Sequence, residues 1–214
     1  GLFVRTLSNL QNTNAGFRDL DNLVTFQLDP ALNGYDVPPI KAFYTSLLDH
    51  LRAVPGVRAA SFSAVPVLHG FEWDSSMSVE GHKAADGEDM QAFMNALSPG
   101  YFQTMQIPVL EGRDFRESDQ KNQFDDSKPD MPRVAIVNQK FARHFFKDAS
   151  ALGKRLGFGG GPDTKLNIEI IGVVADSLYE GPREGVRRQV FIPAWGKGSS
   201  AIYMRTASAS AGAS

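Results

Sequence analysis

Cysteine is absent from the 214 residues of this chain. Disulfide bonds, thiol nucleophiles and cysteine-ligated metal centres are therefore excluded. Long apolar runs are also missing, and none approaches the ~20 residues that a membrane-crossing helix needs. Neither sign of charge dominates, because 22 Lys and Arg stand against 24 Asp and Glu. A nucleic acid or a strongly anionic surface is therefore not expected as a partner.

The residues that most often build metal sites are scattered along the chain. The four histidines are His50, His69, His82 and His144. They form no HExxH or related pattern, so a shared metal site would require the fold to gather them. We expect surface positions for His50 and His144, because both lie on predicted helices beside charged neighbours. Neither a metal nor a cofactor is predicted.

No motif for nucleotide binding or nucleophilic catalysis is present. The glycine-rich run GFGGGP at 157–162 lacks the Gly-Lys-Ser/Thr of a phosphate-binding loop, and no predicted helix follows it. The G-x-S-x-G turn of serine hydrolases is missing as well. Two pairs of neighbouring carboxylates are expected to be solvated, namely Glu72 with Asp74 and Asp125 with Asp126. Asp114, Glu117 and Asp119 could bind a hard cation through oxygen, but they lack the glycine-centred spacing of a calcium loop. No catalytic residue is predicted, and the basic residues Arg183, Arg187 and Arg188 are expected to form a solvated face.

Hydrophobic periodicity predicts a β-α-β unit in residues 22–65, followed by two strands and a short helix. The predicted elements are strands at 23–28 and 57–65 around a helix ending at Val54, strands at 75–80 and 90–97, and a helix from Pro99 to Met105 with Ser98 as its N-cap. A separate amphipathic helix is predicted at 2–10, because its apolar residues have helical spacing.

The second half of the chain is predicted to be mainly β with one helix. A polar loop at 117–131 comes first, and strands at 133–137, 152–158, 167–176 and 189–193 follow, with a helix at 139–146 capped by Asn138. A last strand at 201–206 is predicted to return to the first sheet. The small-residue tail ASASAGAS cannot pack a core and is predicted to be flexible.

Residues 95–115, which read NALSPGYFQTMQIPVLEGRDF, are predicted to join two folding units. The pattern SPGYF-x-T-M-x-I-P-x-L-x-GRDF resembles the periplasmic core domain of MacB-like ABC transporter permeases, in particular the branch called duplicated orphan permeases. Other segments agree in order, namely VRTLSNLQN, FYTSLLDHLRAVPGV, MSVEG, VAIVNQKFARHFF, LGKRL, IEIIGVVAD and VFIPAW. The resemblance therefore extends over the whole chain.

The resemblance implies an α+β fold, in which a porter-like split β-α-β subdomain is interrupted by an inserted mainly-β subdomain with one helix. Placed on this sequence, the porter-like subdomain takes residues 22–110 plus 200–206, and the insertion takes 111–199. Residues 1–21 would be a juxtamembrane helical stub and linker, and 207–214 a flexible tail. The opening GLFVRTL, which has no initiator Met, is expected to lie inside a longer protein.

The function that the resemblance implies is mechanical. Such a domain lies on the periplasmic face of the bacterial inner membrane, anchored by the rest of its permease, and transmits ATP-driven conformational change to substrate export or to a periplasmic partner. The implied partners are the permease's transmembrane helices, an ATPase domain or subunit, a periplasmic adaptor or lipoprotein, and a second copy of the chain. It is not expected to be an enzyme.

An apolar loop supplies the candidate partner contact patch, which consists of Leu68, Phe71 and Trp73. Apolar bulk in a loop either folds back onto the core or remains exposed as a contact surface, and the sequence favours packing on the core. An alternative function is a periplasmic sensor or small-ligand module that uses the cleft between the two subdomains. A hydrolase has the least support, since no nucleophile and base pattern is present.

Overall fold

The computed structural model describes residues 4–6, 22–29, 37–67, 73–121, 133–178, 185–194 and 200–207. Within these ranges the fold is α+β, as expected. The strands are β1 Val4–Thr6, β2 Leu23–Leu28, β3 Val57–Ser63, β4 Asp74–Val79, β5 Gln91–Leu97, β6 Val109–Gly112, β7 Arg133–Asn138, β8 Arg155–Phe158, β9 Ile168–Val174, β10 Gln189–Pro193 and β11 Ser200–Thr206. The helices are α1 Val37–Ala53, α2 Tyr101–Met105, α3 Gln139–Phe146 and a 3-10 helix at Glu117–Lys121. In these ranges no helix has the length and apolar character needed to cross a membrane.

The small sheet, β1-β2-β11-β3, has the split β-α-β arrangement. Strand β11 is antiparallel to both β2 and β3, so the two strands that α1 connects are parallel and separated by the last described strand. This confirms the predicted return of residues 201–206 to the first sheet. Helix α1 packs on the sheet because Tyr44 and Leu48, one turn apart, are buried against Phe62 and Ile202.

Six further strands form a closed ring of pairings. The order is β5-β10-β7-β9-β8-β4, and β4 returns to pair with β5. One face of each strand contributes to a single buried cluster, to which α3 adds Phe141 and Phe145. On β10, for example, Val190 and Ile192 join this cluster whereas Phe191 lies in another, as period-two alternation requires. We call this ring the barrel.

The strand pairings of the barrel run across the predicted boundary between the two subdomains. Strands β4 and β5 were expected in the porter-like subdomain, yet β4 pairs with β8 and β5 pairs with β10, both from residues expected to be inserted. By contrast, β5 meets β3 of the small sheet at one register position, Ser63 with Leu97. Strand pairing is decided by hydrogen bonds between segments that are distant in sequence, so order along the chain does not reveal it.

The predicted helix at 2–10 is also wrong where the structure describes it. Val4–Thr6 is an edge strand, paired antiparallel with β2. The unpaired edge of β2 offers backbone donors and acceptors with which residues 4–6 can pair. In a short apolar segment, the sequence patterns of a helix and of a strand cannot be told apart, so the sequence did not reveal this pairing. Residues 7–21 and the tail from 208 lie outside the described residues. Strand β6, within the predicted exit turn, was not expected.

Candidate functional site

Helix α2 lies between the small sheet and the barrel, but residues 95–115 do not join these two parts as predicted, because β5 before the helix and β6 after it both pair with barrel strands. One buried cluster draws its side chains from both parts and from α2. Its buried members include Tyr101, Phe102 and Met105 of α2, Leu23, Ala201 and Tyr203 of the small sheet, and Val134, Ile136, Val174 and Phe191 of the barrel. The outer face of the barrel is therefore packed against the small sheet through α2. We call this cluster the junction core.

Tyr203 bonds β11 to the segment that leaves β3. Its hydroxyl oxygen accepts from the backbone N–H of Val67 at 3.1 Å and from the hydroxyl of Ser63 at 3.3 Å. Its ring also meets Tyr101 of α2 edge-on, with centroids 5.5 Å apart. Burial raises the pKa of Tyr203, and these hydrogen bonds oppose the shift. The side chain is thus held neutral and oriented.

The end of β5 is fastened to the same segment by two buried polar side chains. Asn95 Oδ1 accepts from the N–H of Val65 at 2.9 Å, and its Nδ2 donates to the carbonyl of Val65 at 2.9 Å. The hydroxyl of Ser98 accepts from the N–H of Phe62 at 2.8 Å. The prediction that Ser98 is the N-cap of α2 is therefore wrong. Gly100 holds that position, at φ 80°, without a side-chain cap.

An ion pair between Arg113 and Asp119, which we call the clasp, follows β6. Gly112 turns the chain at φ 72°, and the Arg113 guanidinium then donates to both carboxylate oxygens of Asp119, at 2.7 and 3.0 Å. Burial alone would raise the pKa of Asp119, but bonds from Arg113 and from the N–H of Arg116 outweigh it and lower the pKa. Burial raises the pKa of Asp114, which accepts from the N–H of Phe115.

Of the three residues in the predicted contact patch, Trp73 lies within the described chain. Its side chain is partly buried and packs against both the junction core and the barrel interior. Its carbonyl accepts from the N–H of Met94 at 2.6 Å. Trp73 thus serves as packing between the two clusters. Leu68 and Phe71 lie outside the described residues, so the patch at those two positions stays a prediction.

A polar cluster that the sequence did not reveal lies beside α3. Glu88 Oε1 is 2.9 Å from His82 Nε2 and 3.1 Å from His144 Nε2. The backbone N–H of Ala85 also donates to Glu88, and this bond, followed by the one from His82, lowers the pKa of the Glu88 carboxyl. Two of the four scattered histidines are therefore gathered by the fold. Within the described ranges no three His, Cys, Asp or Glu side chains are arranged to hold a metal ion.

Arg188 extends this cluster towards a cleft. Its guanidinium donates to Asp89 at 2.6 Å and lies 2.9 Å from His144 Nε2. Its side chain is only 12% exposed and packs over the ring of Phe145. The expectation that Arg188 belongs to a solvated face is therefore wrong. Arg187 is exposed as expected, and Arg183 lies outside the described residues.

The cleft has a volume of about 750 Å³ and a strongly charged lining. It lies where β5 and β10 begin and where α3 starts; the lining residues are Asp74, Asp89, Gln91, Phe93, Lys140, Arg143, His144, Asp176, Val186, Arg187 and Arg188. By number these come from both predicted subdomains, but the strands concerned all belong to the barrel. A smaller cavity of about 240 Å³ lies between α1 and the start of α2.

The buried amide of Asn138 organises one wall of the cleft. Its Oδ1 caps α3 by accepting from the N–H of Phe141 at 3.0 Å, as predicted, and also accepts from Gln189 at 2.9 Å. Its Nδ2 donates to Asp176 Oδ1 at 2.8 Å and to the carbonyl of Arg187 at 2.9 Å. All four bonding positions of the amide are thus filled, which fixes the start of β10 against α3.

A family profile described as the MacB-like periplasmic core domain matches residues 3–213. The chain belongs to this family. The resemblance stated from the sequence is thereby confirmed. The profile spans the small sheet, the junction core and the barrel together, so the family unit of this MacB-like domain is the whole described fold.

One solved structure agrees with the fold of this MacB-like domain, and a second is reported beside it as a similar chain. The periplasmic region of MacB from Actinobacillus actinomycetemcomitans is 14% identical, with a TM-score of 0.52 over 94% of this chain and 81% of that one. The extracellular domain of the noncanonic ABC-type transporter YknZ from Gram-positive bacteria is 22% identical, with a TM-score of 0.47 over 76% and 72%. No curated protein sequence matches the chain. At these identities the MacB likeness concerns the fold alone.

Proposed function

We propose that this MacB-like domain is a non-catalytic extracytoplasmic domain of an ABC transporter permease, which transmits ATP-driven conformational change to substrate export or to a periplasmic partner. It would be anchored to the bacterial inner membrane by the transmembrane helices of its permease and driven by an ATPase domain or subunit. A periplasmic adaptor or lipoprotein, or a second copy of the chain, would receive the motion.

The observation that carries this proposal is the junction core. Phe102 of α2 is 1% exposed and contacts Phe191 of the barrel with ring centroids 5.2 Å apart, while neighbouring Tyr101 contacts Tyr203 of the small sheet. Close-packed interiors have low compressibility and transmit strain. A displacement of the small sheet is therefore expected to carry the barrel with it.

The order of the strands supports the same function. The first described strand, β1, and the last, β11, both pair with β2. Flanking segments attached to either strand would act on the small sheet, at one side of the junction core. The barrel, on the other side, would be the part that moves relative to a partner.

The test uses the full-length permease with its ATPase. This chain has no native cysteine, so once any cysteines in the rest of the permease and in the ATPase are replaced, Lys165→Cys gives a single labelling point on the exposed β8–β9 connection of the barrel. Energy transfer to an acceptor in the lipid surface is expected to change when ATP is added. Phe102→Ala should reduce this change by loosening the junction core.

The matched control is Phe141→Ala, which removes an equally buried ring from the barrel interior. Both changes leave cavities and cost about 3–5 kcal/mol of stability, but only Phe102→Ala is expected to weaken the ATP-dependent signal. The proposal fails if ATP does not alter energy transfer in the unmodified complex, or if the two alanine variants reduce it equally.

A further inference from the structure

One nitrogen of His144 has two polar neighbours that make opposite demands on it. His144 Nε2 lies 3.1 Å from Glu88 Oε1 and 2.9 Å from Nη1 of Arg188. A carboxylate can only accept a hydrogen bond, and a guanidinium can only donate one. A protonated Nε2 therefore bonds Glu88 and opposes the N–H of Arg188, whereas an unprotonated Nε2 accepts from Arg188 and faces a lone pair of Glu88. The two bonds exclude each other.

Each of the two neighbours is held by a further partner. The other carboxylate oxygen of Glu88 accepts from the backbone N–H of Ala85 at 2.8 Å. The other terminal nitrogen of the Arg188 guanidinium donates to Asp89 at 2.6 Å. Glu88 and Arg188 therefore stay attached to the fold whichever of them His144 bonds, so that His144 can exchange one for the other.

The remaining titratable and charged groups around His144 do not share this competition. His82, in the turn after β4, lies 2.9 Å from the same oxygen of Glu88, and its ring centroid is 6.2 Å from that of His144. In the described part of the chain His82 has no hydrogen bond with Arg188. The other charged residues of the cleft lining, none of which is hydrogen-bonded to His144 within the described ranges, are Asp74, Asp89, Lys140, Arg143, Asp176 and Arg187.

The bond that His144 makes affects the wall of the cleft. His144 and Arg188 both line the cleft, one from α3 and the other from the segment before β10. Glu88 belongs instead to the connection between β4 and β5. The amide of Asn138 fixes the start of β10 against α3 through its own hydrogen bonds. A change of partner at His144 is therefore expected to move side chains and to leave the backbone in place.

We propose that His144 is a pH-sensitive switch in the wall of the cleft. Neutral His144, with its proton on Nδ1, accepts from Arg188 and ties α3 to the start of β10. Histidine side chains gain a proton as pH falls through the range from about 8 to 5. The imidazolium donates to Glu88 and repels the Arg188 guanidinium, which opens the cleft between α3 and β10. The switch goes beyond the proposed transmission function and does not rest on it.

The test is NMR spectroscopy of arginine side-chain N–H groups in the isotope-labelled 214-residue chain, titrated from about pH 8 to pH 5. Arg188→Lys identifies the Arg188 signals by removing them. Rotation of the Arg188 guanidinium about its Cζ–Nη bonds is expected to become faster at low pH. The increase should be on the order of tenfold, because loss of one hydrogen bond has about that effect on a rate.

His144→Gln and His82→Gln are matched variants, because each removes an imidazole that contacts the same oxygen of Glu88. Only His144→Gln is expected to abolish the pH response of Arg188, since a glutamine amide does not titrate and His82 does not face Arg188. The side chains of His144 and His82 are 36% and 20% exposed. Both variants should therefore keep the backbone amide spectrum of the folded chain.

Three results would overturn the inference. They are an Arg188 guanidinium that rotates equally fast at both ends of the pH range, a pH response that persists in His144→Gln, and a response that His82→Gln abolishes as completely as His144→Gln does. If a variant fails to fold, the original chain still decides. Its Arg188 response must follow the imidazole signals of His144, and a response that follows those of His82 refutes the switch.

Discussion

Replacing Gly112 by alanine should be among the most damaging small substitutions in the chain. Two independent costs add at this position. Gly112 has φ 72°, a left-handed conformation that costs an alanine about 1–2 kcal/mol. A Cβ built there would also collide with the carbonyl oxygen of Ile171, and would lie 2.8 Å from Leu152 Cδ2 and 3.0 Å from Gly172 Cα.

The collision is with backbone, which cannot rotate away. Strands β6 and β9 would have to separate at the register pair Gly112 with Gly172, and overpacking of this kind typically costs about 1–3 kcal/mol. Together the two costs give a loss of about 2–5 kcal/mol in the free energy of unfolding. Domains are typically stable by about 5–15 kcal/mol, so the variant should still fold at 25 °C, with a lower urea midpoint.

Two other glycines separate the contributions. Gly153 has φ 73°, with nothing within 4 Å of a built Cβ, so Gly153→Ala measures the conformational cost alone. In Gly172→Ala the Cβ would lie 2.5 Å from the carbonyl oxygen of Arg113, and its φ is outside the left-handed region, so it measures the collision alone. The gain from stiffening the unfolded chain is common to all three variants. If Gly112→Ala loses no more stability than Gly153→Ala in urea titrations, the close approach of β6 and β9 is refuted.

Two further changes test the polar framework. Asn138→Ala removes the cap of α3 and leaves buried donors and acceptors unpaired; it should lower the free energy of unfolding in urea by about 2–4 kcal/mol, and a loss under about 1 kcal/mol would contradict the role of the amide. Asp119→Asn weakens the ion pair between Asp119 and Arg113. Because the pKa of Asp119 is lowered on folding, its contribution is present above the unfolded value near 4 and is lost as pH falls through the folded one. The stability gap between Asp119→Asn and the original chain should therefore be larger at pH 7 than at pH 3, and a gap independent of pH would count against the clasp.

Local structure was largely readable from the sequence because local residues cause it. The alternation at 23–28 and the helical spacing up to Val54 correspond to β2 and α1 within one or two residues. Asn138 caps α3 as predicted, since the Asx side chain and the N–H of the third helical residue are neighbours in the chain. Ser98 had the same local pattern, but its hydroxyl accepts from Phe62 instead. The hydroxyl of Ser98 is thus bonded to a residue distant in sequence and does not cap the neighbouring helix.

The chemistry of the cleft was hidden for the same reason. His82, Glu88, His144 and Arg188 carry no shared motif, and Arg187 reads as one exposed cation among many. Their proximity follows from the closing of the barrel, which brings the β4–β5 connection, α3 and the start of β10 together.

By itself, the sequence determined the family, the α+β class and the order of most elements, because these depend on periodicity, caps and turns between near neighbours. Only the tertiary structure decided that β4 and β5 belong to the barrel, that residues 4–6 form an edge strand and that the charged cleft exists. Strand pairing joins segments far apart in sequence, and its hydrogen bonds and buried faces are shared between partners that no single stretch of chain specifies.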